Sequence, residues 1–347
     1  MTFFSPDNRK QILRTIVLLI ILGLAVHFLL PQIESFRKSF RVIGRMRGSF
    51  VLLAVLAEIA SYLGAGYILN SLAAIYKQKF PIWLGFLVIM ASASVGLVAG
   101  GMFGSIVAIS RWTRRQGIDL RTATLAGIIP SFLNTSFVTI LAFFSLAHLL
   151  ATDELSVLEL IIFAVTLALL LFVVGLSIWG INNRERFLNA GHRLTFWIKR
   201  RFHRPLDSDL IVERIRRSFA AWDEIRHGQW HLPLLGAVIY IFFDMVTLYF
   251  TFIAAGNPIR VIDMLAGYGL PLLMGKAAFV LPGGLGIIEA TMAAIYSGIG
   301  VPSTVALAVV LVYRFITFWA PTMLGFIIMV FLYQMAARNS DGDQLTD

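Results

Sequence analysis

The sequence predicts an all-α, polytopic helical membrane protein built from two related halves. Three observations carry that prediction. The chain of 347 residues is 58% apolar and only 14% charged, with a mean hydropathy of +0.82, which excludes an ordinary soluble protein. Its apolar stretches are long enough to supply about seven spans of roughly 20 residues each. Two glycine pairs, Gly100-Gly101 and Gly283-Gly284, interrupt apolar sequence where a membrane helix would continue. Broken backbone leaves amides and carbonyls unpaired, and in lipid it survives only inside protein or along a wet cavity. Each pair is therefore read as the tip of a re-entrant segment.

Taken in order, Ile12–Leu30 follows Arg9, Lys10 and Arg14, lacks a small-x-small cleavage site and is long enough to span, so it reads as an uncleaved first helix. Gln32–Gly48 places Ile33, Phe36, Phe40 and Ile43 opposite Arg37, Lys38, Arg41 and Arg45, the pattern of an interfacial amphipathic helix. Phe50–Tyr76 is a span carrying Glu58. Pro81–Ala99 runs into the first glycine pair, followed by the short segment Met102–Ser110. Arg121–Leu150 and Leu155–Ile181 are further spans, separated by the acidic turn Thr152-Asp153-Glu154. Asn182–Gln229 is polar and holds eleven Arg/Lys against six Asp/Glu, which places it on the cytoplasmic side by the positive-inside rule. Trp230–Ala255 spans and carries Asp244. Val261–Val280 contains Lys276, and the short piece Ile287–Ser297 follows the second break. Val301–Gln334 contains Arg314, and the tail beyond it is polar and reads as disordered.

The halves match at an offset of 183 residues, which brings Gly100-Gly101 onto Gly283-Gly284 and Gly117 onto Gly300. The resulting division is a first repeat at 49–150, a linking span and basic loop at 151–229, a second repeat at 230–335 and a tail at 336–347. Repeats of this kind are frequent in transporters, with the site at their interface. Met102–Ser110 and Ile287–Ser297 are too short to cross about 30 Å as helices. That favours re-entrant hairpins, which make the halves inverted; segments that crossed fully would make the halves parallel.

Charges inside such spans cost about 2.5–3.5 kcal/mol on insertion scales, so they are functional candidates. Arg314 lies about 18 Å into its helix, counted from Pro302. Its guanidinium suits bidentate capture of a phosphate, or else an ion pair with Glu289 or Asp244. Lys276 has the same two readings, and a third in which it snorkels toward an interface. Gly283, Gly284 and Gly286 either serve packing and turns or expose amides as an anion-binding nest. Glu289 falls in the first turn of the helix after the break. There it caps free amides, or it holds a cation or exchanges a proton. Glu58 and Asp244 lie in corresponding spans, where they suit proton coupling or simple burial as neutral acids. Arg111, Arg114 and Arg115, with Arg121, read as a cytoplasmic anchor or as a cluster that recruits a headgroup.

Leu-Pro-Gly-Gly-Leu-Gly-Ile-Ile-Glu at 281–289, with Tyr313-Arg314, Trp319, Pro321 and Gly325, resembles the membrane region of lysylphosphatidylglycerol synthases. It is more similar still to the stand-alone flippase-like membrane proteins related to that region. The resemblance spans roughly residues 10 to 335, although no proline precedes Gly100 as one precedes Gly283. It implies a multi-pass protein of the bacterial inner membrane that moves a phospholipid or lipid-linked substrate between leaflets. The synthases carry a soluble aminoacyl-transferase domain after this region and the chain ends at Asp347, so an enzyme is not expected. No phosphate-binding G-x-x-x-x-G-K-[ST] loop, metal-ligand spacing or cysteine is present, and no cofactor, metal or nucleic acid is expected. The partners this reading admits are a membrane lipid, a lipid-modifying enzyme and a second copy of the chain. The alternative function is a non-transporting protein that presents lipid to a separate enzyme.

Overall fold

Gly48–Ile75 (α1) and Ile82–Val98 (α2) are apolar around their whole circumference rather than along one stripe, as helices bathed in lipid or buried among other helices must be. The computed structural model describes residues 39–98, 101–151, 230–277 and 282–343, with isolated positions between 164 and 186. The expected helices Ile12–Leu30 and Leu155–Ile181 and the basic stretch Asn182–Gln229 lie outside the described residues, apart from those isolated positions. Of the amphipathic segment, residues 39–43 are helical.

After α2 the chain forms Met102–Arg115 (α3) and Leu120–Ala151 (α4). The second half supplies His231–Ala254 (α5), Val261–Ala277 (α6), Ile287–Gly298 (α7), Ser303–Arg314 (α8) and Ala320–Asp343 (α9). A five-residue π turn, Phe315–Trp319, joins α8 to α9. Among the described residues there is no strand, and four helical stretches are long and apolar enough to cross a membrane: Gly48–Ile75, Leu120–Leu149, His231–Ala254 and Ser303–Gln334. Large apolar side chains such as Leu52, Phe144 and Ile327 face outward from these helices, as lipid contact requires. The polar tail expected as disordered is helical as far as Asp343, because α9 runs on past its apolar part.

The most extensive contact in the molecule is between α1 and α5, which run antiparallel. The register is fixed by a ladder of polar contacts. Arg47 N donates to Ala254 O at 2.9 Å, the Thr247 hydroxyl lies 3.3 Å from Ala54 O, and Ser61 Oγ donates to Tyr240 O at 2.9 Å. Farther along, a Cβ on Gly64 would fall 2.7 Å from Tyr240 N, so the two backbones touch there. Lipid gives helices no hydrophobic reason to associate, and small residues that admit close backbone approach take over that role.

Around this seam the halves exchange grips. The helix α4 packs along α6, and α9 packs along α2. Both contacts are again antiparallel and tightened by glycine: Gly269 against Leu141 and Ala142, and Gly325 against Met90. Ser145 Oγ donates to Leu265 O at 2.8 Å in the first contact, and Ser94 Oγ donates to Thr322 O at 2.6 Å in the second. Each half also folds its glycine break into a helical hairpin, α2 on α3 and α6 on α7. The hairpin of one half is thus held by the long helix of the other.

Candidate functional site

The second break is built by glycines in the left-handed region, where any other residue is strained. Gly283 and Gly284 both have φ 65°, and Gly286 has φ 81°. A Cβ on Gly284 would lie 2.7 Å from Gly275 Cα, so the turn is pressed back against α6. In the first half Gly101, which the 183-residue offset pairs with Gly284, has φ 64° and precedes α3. Between the two breaks lies a cavity of about 380 Å³. Its wall draws on both halves, with Ser92, Gly101 and Asn134 from one and Asp244, Lys276 and Arg314 from the other.

Arg314, at the end of α8, is 6% exposed. Its Nε donates to Glu289 Oε1 at 2.7 Å and its Nη2 donates to the Gly283 carbonyl at 2.8 Å. The Phe318 ring, presented by the π turn, lies with its centroid 4.5 Å from the guanidinium carbon. The other oxygen of Glu289 accepts from Gly286 N at 2.7 Å. One carboxylate therefore caps α7 and neutralises the buried cation together, as a charge removed from water requires. Of the two readings of Arg314, the geometry makes the ion pair with Glu289. It also bears on the proposed nest. The Gly286 amide is already engaged, Gly284 is packed against α6, and Gly283 presents a carbonyl to Arg314.

Lys276 stands in the last turn of α6 and meets a different partner. Its Nζ donates to Asn134 Oδ1 on α4 at 2.5 Å, across the boundary between the halves. Nothing in the sequence singles out Asn134, an uncharged polar residue inside an apolar helix.

The two buried carboxyl groups come together on the α1–α5 seam, although their spans are far apart in sequence. Asp244 Oδ2 accepts hydrogen bonds from Tyr268 Oη and, at 2.8 Å, from Tyr313 Oη. Glu58 Oε2 lies 3.0 Å from the Thr247 hydroxyl, one turn along α5 from Asp244. Both tyrosines are almost fully buried, and with Asp244 they line the cavity wall. Tyr268 and Thr247 are inconspicuous in the sequence, because tyrosine and threonine in an apolar helix carry no charge.

Arg111 and Arg114 are exposed at the end of α3, outside the cavity, and Arg115 lies over the Tyr333 ring at 4.3 Å. The turn that follows is closed by Asp119, which accepts from Arg121 N at 3.1 Å and from Gln78 Nε2 at 2.5 Å. Partial burial pushes the Asp119 carboxyl up, but hydrogen bonds from Thr122, Gln78 and Arg121 outweigh it and hold the group below its ordinary value.

Residues 11–325 match the family described as the lysylphosphatidylglycerol synthase TM region. A UPF0104 membrane protein of Pyrococcus horikoshii is 23% identical over 334 residues, covering 90% of this chain and 96% of its own. UPF0104 membrane proteins of Methanocaldococcus jannaschii and Methanothermobacter thermautotrophicus are 27% and 28% identical over shorter segments, 35% and 40% of this chain and 36% and 43% of their own. The family match takes in both breaks, the Arg314–Glu289 pair and Lys276. The chain belongs to the lysylphosphatidylglycerol synthase TM region family, as the motif at 281–289 implies.

Proposed function

We propose that the protein moves a phospholipid or a lipid-linked substrate between the leaflets of the inner (plasma) membrane, leaving it chemically unchanged. The observation that carries this reading is the cavity itself, lined by both halves and holding two cationic side chains among apolar walls. A headgroup crossing the bilayer must exchange its water for fixed polar partners, since an uncompensated charge in hydrocarbon costs several kcal/mol. Lys276 supplies positive charge for a phosphate and Arg314, paired with Glu289, holds the break in place, while the acyl chains remain in lipid outside the helices. The antiparallel α1–α5 seam and the exchanged contacts around it support reading the halves as inverted repeats with re-entrant hairpins. In this reading the Asp244–Glu58 pair provides the groups for proton coupling.

The test is lipid movement by purified protein in liposomes, with several labelled headgroups and with imposed ion gradients. Wild type is expected to move at least one phospholipid, and Arg314→Ala, in a protein that still elutes as a folded species, to abolish the movement. No movement of any lipid under any gradient would sink transport. It would favour the other role, presentation of lipid to a separate membrane enzyme.

A further inference from the structure

We infer that Lys276 and Asn134 together form an oxyanion-binding site at the junction of the halves, which takes the phosphate ester of a lipid headgroup. The inference deepens the transport reading and depends on it only for the source of the phosphate.

The argument starts from the unequal situations of the two cavity cations. Arg314 has two of its nitrogens committed, to Glu289 and to the Gly283 carbonyl, and one face near Phe318. Its charge is already neutralised by Glu289, and a phosphate that took the Nε donor would displace the carboxylate that also caps α7. Arg314 is therefore a positioning residue that ties the break to α8. Lys276 is held by a neutral amide oxygen, and among the described residues no acid pairs with it. Its charge faces the cavity without a counter-ion.

Asn134 adds the complementary donor. With Oδ1 turned to Lys276, its Nδ2 keeps two N–H groups that no described residue accepts. Ser131, one turn earlier on α4, lines the same cavity. An ammonium beside an amide donor is a sound cradle for phosphate oxygens, because charge-assisted hydrogen bonds are the strong ones. One phosphate oxygen replaces Oδ1 at Lys276, and the amide presents Nδ2 to a second. The ligand then bridges α4 of the first half and α6 of the second, so its binding acts on the contact through which the halves grip each other.

The experiment is calorimetric titration of the full chain in detergent with dihexanoyl phosphatidylglycerol, inorganic phosphate and dihexanoylglycerol. Wild type is expected to bind the phosphatidylglycerol saturably and the phosphate-free diacylglycerol not at all. Lys276→Gln and Asn134→Asp each weaken binding about tenfold or more, as the loss of a charge-assisted bond predicts. Asn134→Asp keeps the lysine but gives it a counter-ion, so it tests the charge argument even if Lys276→Gln folds poorly. Lys276→Arg retains binding, and Arg260→Gln, which removes a surface cation paired with Asp263, leaves it unchanged. Binding of inorganic phosphate without the lipid would overturn the lipid source. Absence of binding by wild type, binding that survives both site variants, or equal binding of dihexanoylglycerol would overturn the site. Binding without lipid movement in liposomes would sink transport alone. Lipid movement indifferent to both variants would sink this site alone.

Discussion

At the level of single residues the break rests on one carboxylate with two duties. Glu289 neutralises Arg314 through one oxygen and caps α7 through the other, so a single side chain serves both the pair and the cap. Removing one partner of a buried ion pair costs about 3–5 kcal/mol, more than the pair contributes against an apolar alternative. Glu289→Gln and Arg314→Ala are each expected to lower the melting temperature of the purified protein. The double variant should be less destabilised than the two losses summed; additive losses would mean the pair is not coupled. Much of this was legible in the sequence: a glutamate three residues past a glycine break and an arginine midway along the next span are both conspicuous. What the sequence could not show is that they meet, or that Arg314 also holds the Gly283 carbonyl. The partners of Lys276, Asp244 and Glu58 were less legible still. Asn134, Tyr268 and Thr247 are uncharged, and their meaning depends wholly on what faces them.

At the level of elements the glycines of the second break divide into two kinds. Gly284 combines a left-handed φ with backbone contact to Gly275, whereas Gly286 has the same handedness with open space where a side chain would go. Gly286→Ala should therefore show only the conformational cost, about 1–2 kcal/mol. Gly284→Ala must in addition force the turn away from α6, and is expected to abolish folding or nearly so. Melting temperature and yield of folded protein distinguish them, and equal effects would refute the close packing of the turn. The sequence marked where the helices would break, since glycine pairs in apolar sequence have few other uses. It gave no sign of the π turn at Phe315–Trp319, whose residues read as ordinary apolar helix. That extra-wide turn presents Phe318 to the guanidinium of Arg314 and to Gly283.

At the level of the whole molecule the fold class and the two breaks followed from hydropathy and glycine placement. The pairing of helices did not, because circumferentially apolar helices carry no stripe that names a neighbour. The described helices pair instead through glycines and single hydroxyls, signals too sparse to read before the contacts are seen. The pairing has a testable result. Ending the chain after Trp319 removes α9 and leaves α2 without its partner along Ser94 and Met90. Such a truncation is expected to reduce the amount of protein recovered from membranes to a small fraction of wild type, whereas ending it after Gln334 should be tolerated. Equal recovery of the two would show that the grip of α9 on α2 is dispensable.

The exchanged grip also bears on how the protein is made. A ribosome delivers the α2–α3 hairpin long before it delivers α9, and α4 long before α6. Until the last helix enters the bilayer, the early hairpin packs on α1 and α4 but lacks the partner that meets α2 along Met90 and Ser94. The packing of the first half is therefore completed only when translation is nearly finished. The cavity, whose described lining runs from Tyr62 to Phe318, comes into being only once the second half has joined the first.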